Sequence, residues 1–211
     1  MDKTKVAVGI FDKRATEYQE KHKDVSLYGD SLDLFCDLIN KGDAAILELA
    51  CGPGNITKYL LNKRPDFKIL GIDLSPNMLR LAEINNPDAE FQLMDCRDIL
   101  ELNNKYDAIA CGFCLPYLSM EEAEKLIDDA TKLLNPKGVI YISTMEDDYS
   151  KSGWQRGSNG DEIYMHYHQA DYLADALVRN HFKLIEIERK DYPYEDGTNG
   201  IDLILIAKLL R

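Results

Sequence analysis

The chain has 211 residues, 45% apolar and 29% charged, which suits one large domain with a two- or three-layer core and is short for two. Thirty-seven acidic against twenty-five basic side chains give a net charge of -12; that repels a phosphate backbone unless the basic residues gather on one face, and no gathering is visible, so nucleic acid is not the expected partner. No apolar run approaches a membrane span, no signal-like apolar core follows the first residues, and five scattered cysteines fit reduced thiols in a cytoplasm better than a disulfide framework.

The first forty residues read as helical: Phe11, Ala15 and Tyr18 recur at helical spacing, then Leu32, Phe35, Cys36, Leu38 and Ile39 follow Asp30-Ser31 as a cap. From Ala44 the period changes. Ala45–Ala50, Phe67–Ile72, Ala89–Met94, Tyr106–Cys111 and Val139–Thr144 are short apolar runs of strand length, the pattern of a parallel sheet covered on both faces. Between them, Asn55–Leu61 follows a Gly-Pro-Gly turn, Ser75-Pro76 opens a helix with proline in its first turn, and Ser119 precedes Met120-Glu121-Glu122 as in a capping box. Met145 to Gln169 is irregular, with glycines among aromatics, and reads as a cover over a site. Ala170–Val178 is an amphipathic helix with Asn180 expected in a left-handed conformation at its end. Phe182–Glu188 and Ile201–Lys208, joined through Asp196-Gly197-Thr198-Asn199-Gly200, are too close for a helical crossover and form an antiparallel hairpin. The expected layout is a single unit: a helical cap over 1–42, a core over 43–145, the cover over 146–169, and a final helix and hairpin over 170–211.

Gly52 and Gly54 stand directly after the first strand and before a helix, where backbone N–H groups and the helix terminus favour a ligand's close approach. Asp73 ends the second strand about 20 residues on, where open α/β sheets place a carboxylate that accepts ribose hydroxyls. Asp95-Cys96 follows the third strand, within reach of the base of the same ligand. Each has a plainer reading, as turn glycine, helix cap or solvated loop, but three such features at the carboxyl ends of successive strands point to a nucleoside site. Thr57 occupies the place of the third glycine of the dinucleotide fingerprint, and no phosphate-loop lysine is present, so nicotinamide, flavin and triphosphate chemistry are disfavoured.

Ile46-Leu47-Glu48-Leu49-Ala50-Cys51-Gly52-Pro53-Gly54-Asn55 resembles the first motif of class I S-adenosylmethionine-dependent methyltransferases. The resemblance continues through Gly71-Ile72-Asp73-Leu74-Ser75-Pro76, Gln92-Leu93-Met94-Asp95-Cys96, Tyr106-Asp107-Ala108-Ile109 and Leu133-Leu134-Asn135-Pro136-Lys137-Gly138, nearly the whole chain. It implies an α/β three-layer sandwich with a seven-stranded, mostly parallel sheet in the order 3-2-1-4-5-7-6, a C-terminal antiparallel hairpin and an N-terminal helical cap. It also implies S-adenosylmethionine as cofactor, S-adenosylhomocysteine as product and a small-molecule acceptor attacking through oxygen, nitrogen or carbon. By the same resemblance Glu48, Ala50 and Gly52 line the methionine end, Cys51 and Gly54 belong to the same cofactor-binding turn, Asp73 holds the ribose, Leu74 and Met78 flank the adenine, and Asp95 and Cys96 meet its edge. Cys111, Gly112 and Phe113 border the methyl group, and Tyr18 reaches over from the cap. Ala50 departs from the glycine many members have there.

For a weak nucleophile a base is needed, and His166 and His168 alternate in the cover segment as candidates, against a plainer role as exposed hairpin residues. Trp154 and Tyr164 are candidates for an apolar substrate wall. Cys114-Leu115-Pro116-Tyr117 lacks the first residue of the motif that orients amide or adenine nitrogens, and Glu146-Asp147-Asp148 offers only part of a catechol-type magnesium set, so no metal is expected. Two other classes stay open: a thiol-disulfide oxidoreductase built on Cys111 and Cys114, and a regulatory protein that binds the cofactor without turnover.

Overall fold

The computed structural model describes residues 2–157, 160–193, 197 and 199–211. Its helices are α1 (Lys3–Lys13), α2 (Ala15–His22), α3 (Gly29–Leu38), α4 (Asn55–Lys63), α5 (Pro76–Asn85), α6 (Met120–Leu133) and α7 (Ala170–Arg179). Its strands are β1 (Ala45–Leu49), β2 (Lys68–Asp73), β3 (Glu90–Leu93), β4 (Tyr106–Gly112), β5 (Leu134–Glu146), β6 (Gly153–Arg156), β7 (Glu162–Met165), β8 (Phe182–Pro193) and β9 (Asn199–Leu209).

Seven strands form one sheet in the order β3-β2-β1-β4-β5-β9-β8, and β6 and β7 pair apart as a small hairpin. With that hairpin set aside, the order is the one the resemblance implies. β1 runs parallel to both β2 and β4, Leu47 lying beside Leu70 on one side and Ile109 on the other. β9 returns antiparallel along β5, with Leu205 opposite Ile142, because its short link to β8 leaves no length for a crossover. Asp196 and Thr198 of that link lie outside the described residues.

Alternation along the central strands builds two cores. Ile109 and Cys111 of β4 face α6 and α7, where Leu126, Ile127, Leu173 and Leu177 are buried. Ala108 and Ala110 of the same strand face α3 and α4, against Leu32, Phe35 and Leu60. Each fully buried leucine or phenylalanine contributes about 1.5–3 kcal/mol over leaving it exposed, so the two faces together fix the sheet between its helical layers. The helix starts were legible: Ser75 caps α5 by accepting from the Met78 N–H with Pro76 at the first position, and Ser119 and Glu122 close a reciprocal capping box on α6.

Two local expectations shift. α3 starts at Gly29 rather than behind Asp30-Ser31, and the Ser31 hydroxyl donates to the Tyr28 carbonyl. Asn180 keeps a negative φ because its amide donates to the Ala176 carbonyl, closing the helix end by side chain; the left-handed residue is His181, at φ 64°.

The order in which strands are added reverses between β1 and β4, which are parallel, so the connections after these two strands run to opposite faces of the sheet and leave a crevice at their carboxyl ends.

Candidate active site

The turn leaving β1 holds three left-handed residues within five: Ala50 at φ 51°, Gly52 at 54° and Gly54 at 78°. Glycine adopts this region without cost, whereas alanine carries a penalty of about 1–2 kcal/mol, so Ala50 is a strained point in the site. A Cβ on Gly54 would stand 2.3 Å from the Asn86 amide nitrogen, which donates to the Gly54 carbonyl at 3.0 Å. A Cβ on Gly52 would meet only the Tyr18 ring, at 3.9 Å, so the space above Gly52 is open to a ligand.

Asp73 joins this turn to the next one. One carboxylate oxygen accepts the Gly52 N–H at 2.9 Å and the other the Ser75 N–H at 2.8 Å. Burial pushes its pKa up, against the lowering pull of these backbone donors. Beneath the turn Glu48 is buried and accepts from the Thr57 hydroxyl. Burial raises the Glu48 carboxyl from 4.5 to about 8, the Thr57 bond opposing and the Asp73 charge adding to the shift. Thr57, where a dinucleotide site has glycine, thus serves as the hydroxyl partner of a buried acid.

A cavity opens over the turn. Ala50, Gly52 and Asp73 form its floor, and Leu74, Met78, Met94 and Cys96 make an apolar slot at one end. Gly112, Phe113, Cys114, Tyr117 and Leu118 continue the wall from there, with Cys114 against Cys96. Thr4, Ala7, Val8 and Phe11 of α1, with Tyr18 of α2, complete the roof. Of the residues singled out by sequence, Tyr18, Ala50, Gly52, Asp73, Leu74, Met78, Cys96, Gly112 and Phe113 therefore meet around one cavity. The others lie behind it: Glu48, Cys51 and Gly54 shape the turn, Cys111 is packed in the core, and Asp95 is taken up by the Arg97 guanidinium at 2.6 Å.

No motif marks the α1 lining, although Thr4, Ala7, Val8 and Phe11 stand at the spacing of one helix face. Tyr28 and Asp202 had no local signal. Phe113, left-handed at φ 53°, lays its ring against Tyr28 at 5.2 Å, and the Tyr28 hydroxyl donates to buried Asp202 at 2.7 Å. Burial raises the pKa of both groups.

α1 is held down by polar clasps along its length. Asp12 accepts the Ser75 hydroxyl at 2.8 Å and the Asn77 N–H at 2.9 Å, which holds its carboxyl below the usual range. The Thr4 hydroxyl donates to the Tyr117 carbonyl at 2.9 Å, and Asp2 pairs with Arg97 at 3.1 Å. The β6–β7 hairpin adds two more from outside: Lys3 sits 3.3 Å over the Tyr164 ring, and Arg14 pairs with Asp161 at 2.5 Å.

The 146–169 segment thus lies against the cap, and among its described residues none lines the cavity. Trp154 is half-exposed and meets Tyr164 edge-on at 5.6 Å across the hairpin. His168 is fully buried, and its Nε2 bonds the Leu115 carbonyl at 2.8 Å. A carbonyl only accepts, so Nε2 carries the proton and Nδ1 accepts from the Tyr172 hydroxyl. Burial lowers His168 to about 4. The His166 ring is also buried and stacks with Tyr149, while its backbone N–H donates to the Pro116 carbonyl at 2.8 Å. Glu146, from the acidic run considered for magnesium, is paired with Arg189.

Residues 46–138 match the family described as "Methyltransferase domain". A malonyl-[acyl-carrier protein] O-methyltransferase of Acetivibrio thermocellus is 29% identical over 136 residues, covering 64% of this chain and 47% of that protein. The chain spans roughly half the length of the curated relatives it matches. The structure of magnesium protoporphyrin IX methyltransferase from Synechocystis, determined with S-adenosylmethionine bound, superposes with a TM-score of 0.74 at 15% identity over 99% of this chain and 98% of that one. A 1,6-didemethyltoxoflavin-N1-methyltransferase from Burkholderia thailandensis, with its acceptor and S-adenosylhomocysteine bound, gives 0.72 at 18% identity over 98% and 88%. The strand order, the glycine turn bridged by Asp73 and these likenesses agree: residues 46–138 are similar to a methyltransferase domain, and the chain has the class I, Rossmann-like methyltransferase fold.

Proposed function

We propose that the protein is an enzyme transferring the methyl group of S-adenosylmethionine to a small-molecule acceptor. The observation that carries this reading is the juxtaposition of Gly52, Asp73 and the Leu74–Met78–Met94–Cys96 slot in one cavity at the β1/β4 crevice. The residues fit an adenosyl sulfonium. The open space above Gly52 admits the amino-acid end, the Asp73 carboxylate has lone pairs left for ribose hydroxyls, and the apolar slot takes a flat purine.

The sulfonium supplies the electrophile, so the protein's task is alignment and exclusion of water. Phe113 and Gly112 bound the end at which the acceptor approaches, and α1 seals the cavity from above. Tyr18, raised to about 12 by burial and the Asp73 charge, stays protonated at neutral pH, and Tyr117 is raised further by burial. Neither is a ready base. His168, with both nitrogens engaged, is assigned with His166 to docking the 146–169 segment, and Trp154 and Tyr164 to the same surface. The acceptor is accordingly small, largely apolar, and already nucleophilic at neutral pH. The buried Tyr28–Asp202 pair behind Phe113 is the polar element next to that end.

Calorimetry with S-adenosylhomocysteine tests the assignment: binding is expected for the wild type, and Asp73→Ala should weaken it by about 1–3 kcal/mol through lost charged hydrogen bonds. No affinity in the wild type would overturn the cofactor reading, and an unchanged affinity in the variant would overturn the role of Asp73.

A further inference from the structure

Sequence spacing brackets Cys111 with Cys114, and their thiols do interact, but tertiary structure sets a second sulfur against Cys114. Cys96, at the first residue of the turn after β3, lies with its sulfur 3.3 Å from that of Cys114, across 18 residues of chain. All five cysteines are thiols. Cys96, Cys111 and Cys114 all belong to the apolar core, and Cys96 and Cys114 also line the cavity, whereas Cys111 on β4 does not. Cys96 is 8% exposed, Cys114 3% and Cys111 1%, so a small reagent in the cavity reaches Cys96 most readily, and a ligand filling the apolar slot covers it. Bringing the pair from 3.3 Å to a bond of about 2.05 Å asks for a movement of about 1.3 Å between two loops.

We propose that Cys96 and Cys114 form an oxidative modification site in the wall of the cavity, where a peroxide joins them in a disulfide that opposes ligand binding. The thiolate of one cysteine attacks a peroxide oxygen, giving a sulfenic acid and releasing water. The second sulfur displaces hydroxide, which leaves as water with the second thiol proton, so two thiols and one hydrogen peroxide give one disulfide and two waters. A small-molecule dithiol reverses the step and is itself oxidised to its disulfide. Closing the bond draws the end of β3, with Met94 and Cys96, toward the 114–118 segment and narrows the slot. Because coupling between ligand and bond is reciprocal, a bound ligand opposes oxidation to the same degree. The hydrogen bond to Cys114 and burial hold Cys96 as a thiol at neutral pH, so the reaction is slow and quickens as pH rises. The ligand half rests on the adenosyl reading above; the bond itself does not.

The test treats the reduced full-length protein with hydrogen peroxide at mildly alkaline pH, with and without saturating S-adenosylhomocysteine. Remaining thiols are alkylated and peptides mapped without reduction, and the affinity for S-adenosylhomocysteine is measured before and after oxidation. The expected product is a Cys96–Cys114 cross-linked peptide, reversed by dithiothreitol, that forms more slowly with ligand bound because the ligand covers the site, and the oxidised protein should bind about tenfold more weakly. A dominant Cys111–Cys114 peptide, sulfinic acid without a cross-link, or equal affinity in both states would overturn the proposal. Reduced protein that ignores S-adenosylhomocysteine would instead overturn the adenosyl reading, while the peptide map still decides the sulfur pair.

Discussion

The floor and the roof of the cavity are held by different physics. The floor is a backbone construction: left-handed residues at 50, 52 and 54, a carboxylate at 73 that ties two turns through N–H groups, and an acid buried beneath. The roof is a helix that rests apolar residues on the cavity and is fastened by side chains distant in sequence, Asp12 to Ser75 and Asn77, Thr4 to Tyr117, Asp2 to Arg97. Conformational restriction gives the floor one geometry whatever the solution conditions. Polar clasps at a partly exposed surface are individually worth little and sensitive to pH and salt, so the roof is the part suited to open for a ligand.

The sharpest way to break this contrast is Glu48→Gln, which probes the acid under the floor. Between 4.5 and about 8 the folded protein keeps a proton that the unfolded chain has released, so this group's stabilisation is full below that window and is lost as pH rises through it. Melting curves from pH 5 to 9 should therefore show the variant gaining on the wild type by about 4 kcal/mol, and parallel profiles would remove Glu48 as the titrating group. Gly54→Ala tests the turn itself. The new Cβ meets Asn86 and must adopt φ 78°, so a loss of about 3 kcal/mol in urea unfolding is expected. A cost near zero would mean the turn is not conformationally imposed. On the roof, Asp12→Ala should cost about 1 kcal/mol, as for loss of a helix cap, and hydrogen exchange should quicken in α1 but not in β1. Equal protection in α1 would show that Asp12 is not a clasp. The smallest effect is Ala50→Gly, where relief of φ 51° exceeds the added freedom of the unfolded chain and stability rises by up to about 1 kcal/mol in urea unfolding. A net loss would show that Ala50 is not strained there.

Much of the floor could be read from the chain because its causes are local. Gly52, Gly54 and Asp73 declare themselves by following strands, Ser75-Pro76 and Ser119-Glu122 carry their own capping chemistry, and the Ala45–Ala50 and Tyr106–Cys111 runs announce buried parallel strands. The 146–169 segment was read less well. Its histidines alternate as a catalytic pair might, yet His168 spends both nitrogens on Leu115 and Tyr172, partners that no local pattern announces. The Tyr28–Asp202 bond and the Cys96–Cys114 approach likewise join residues far apart in sequence.

What the sequence determined alone was therefore periodicity, helix starts and the glycine turn, since each follows from backbone sterics and hydrogen bonding within a few residues. Which side chains face the cavity, which carboxylates are spent on fastening the roof, and which sulfurs meet were decided only when the sheet order brought distant strand ends to one crevice. Those contacts depend on the relative placement of packed elements, and that placement is set by two cores at once rather than by any single stretch of chain.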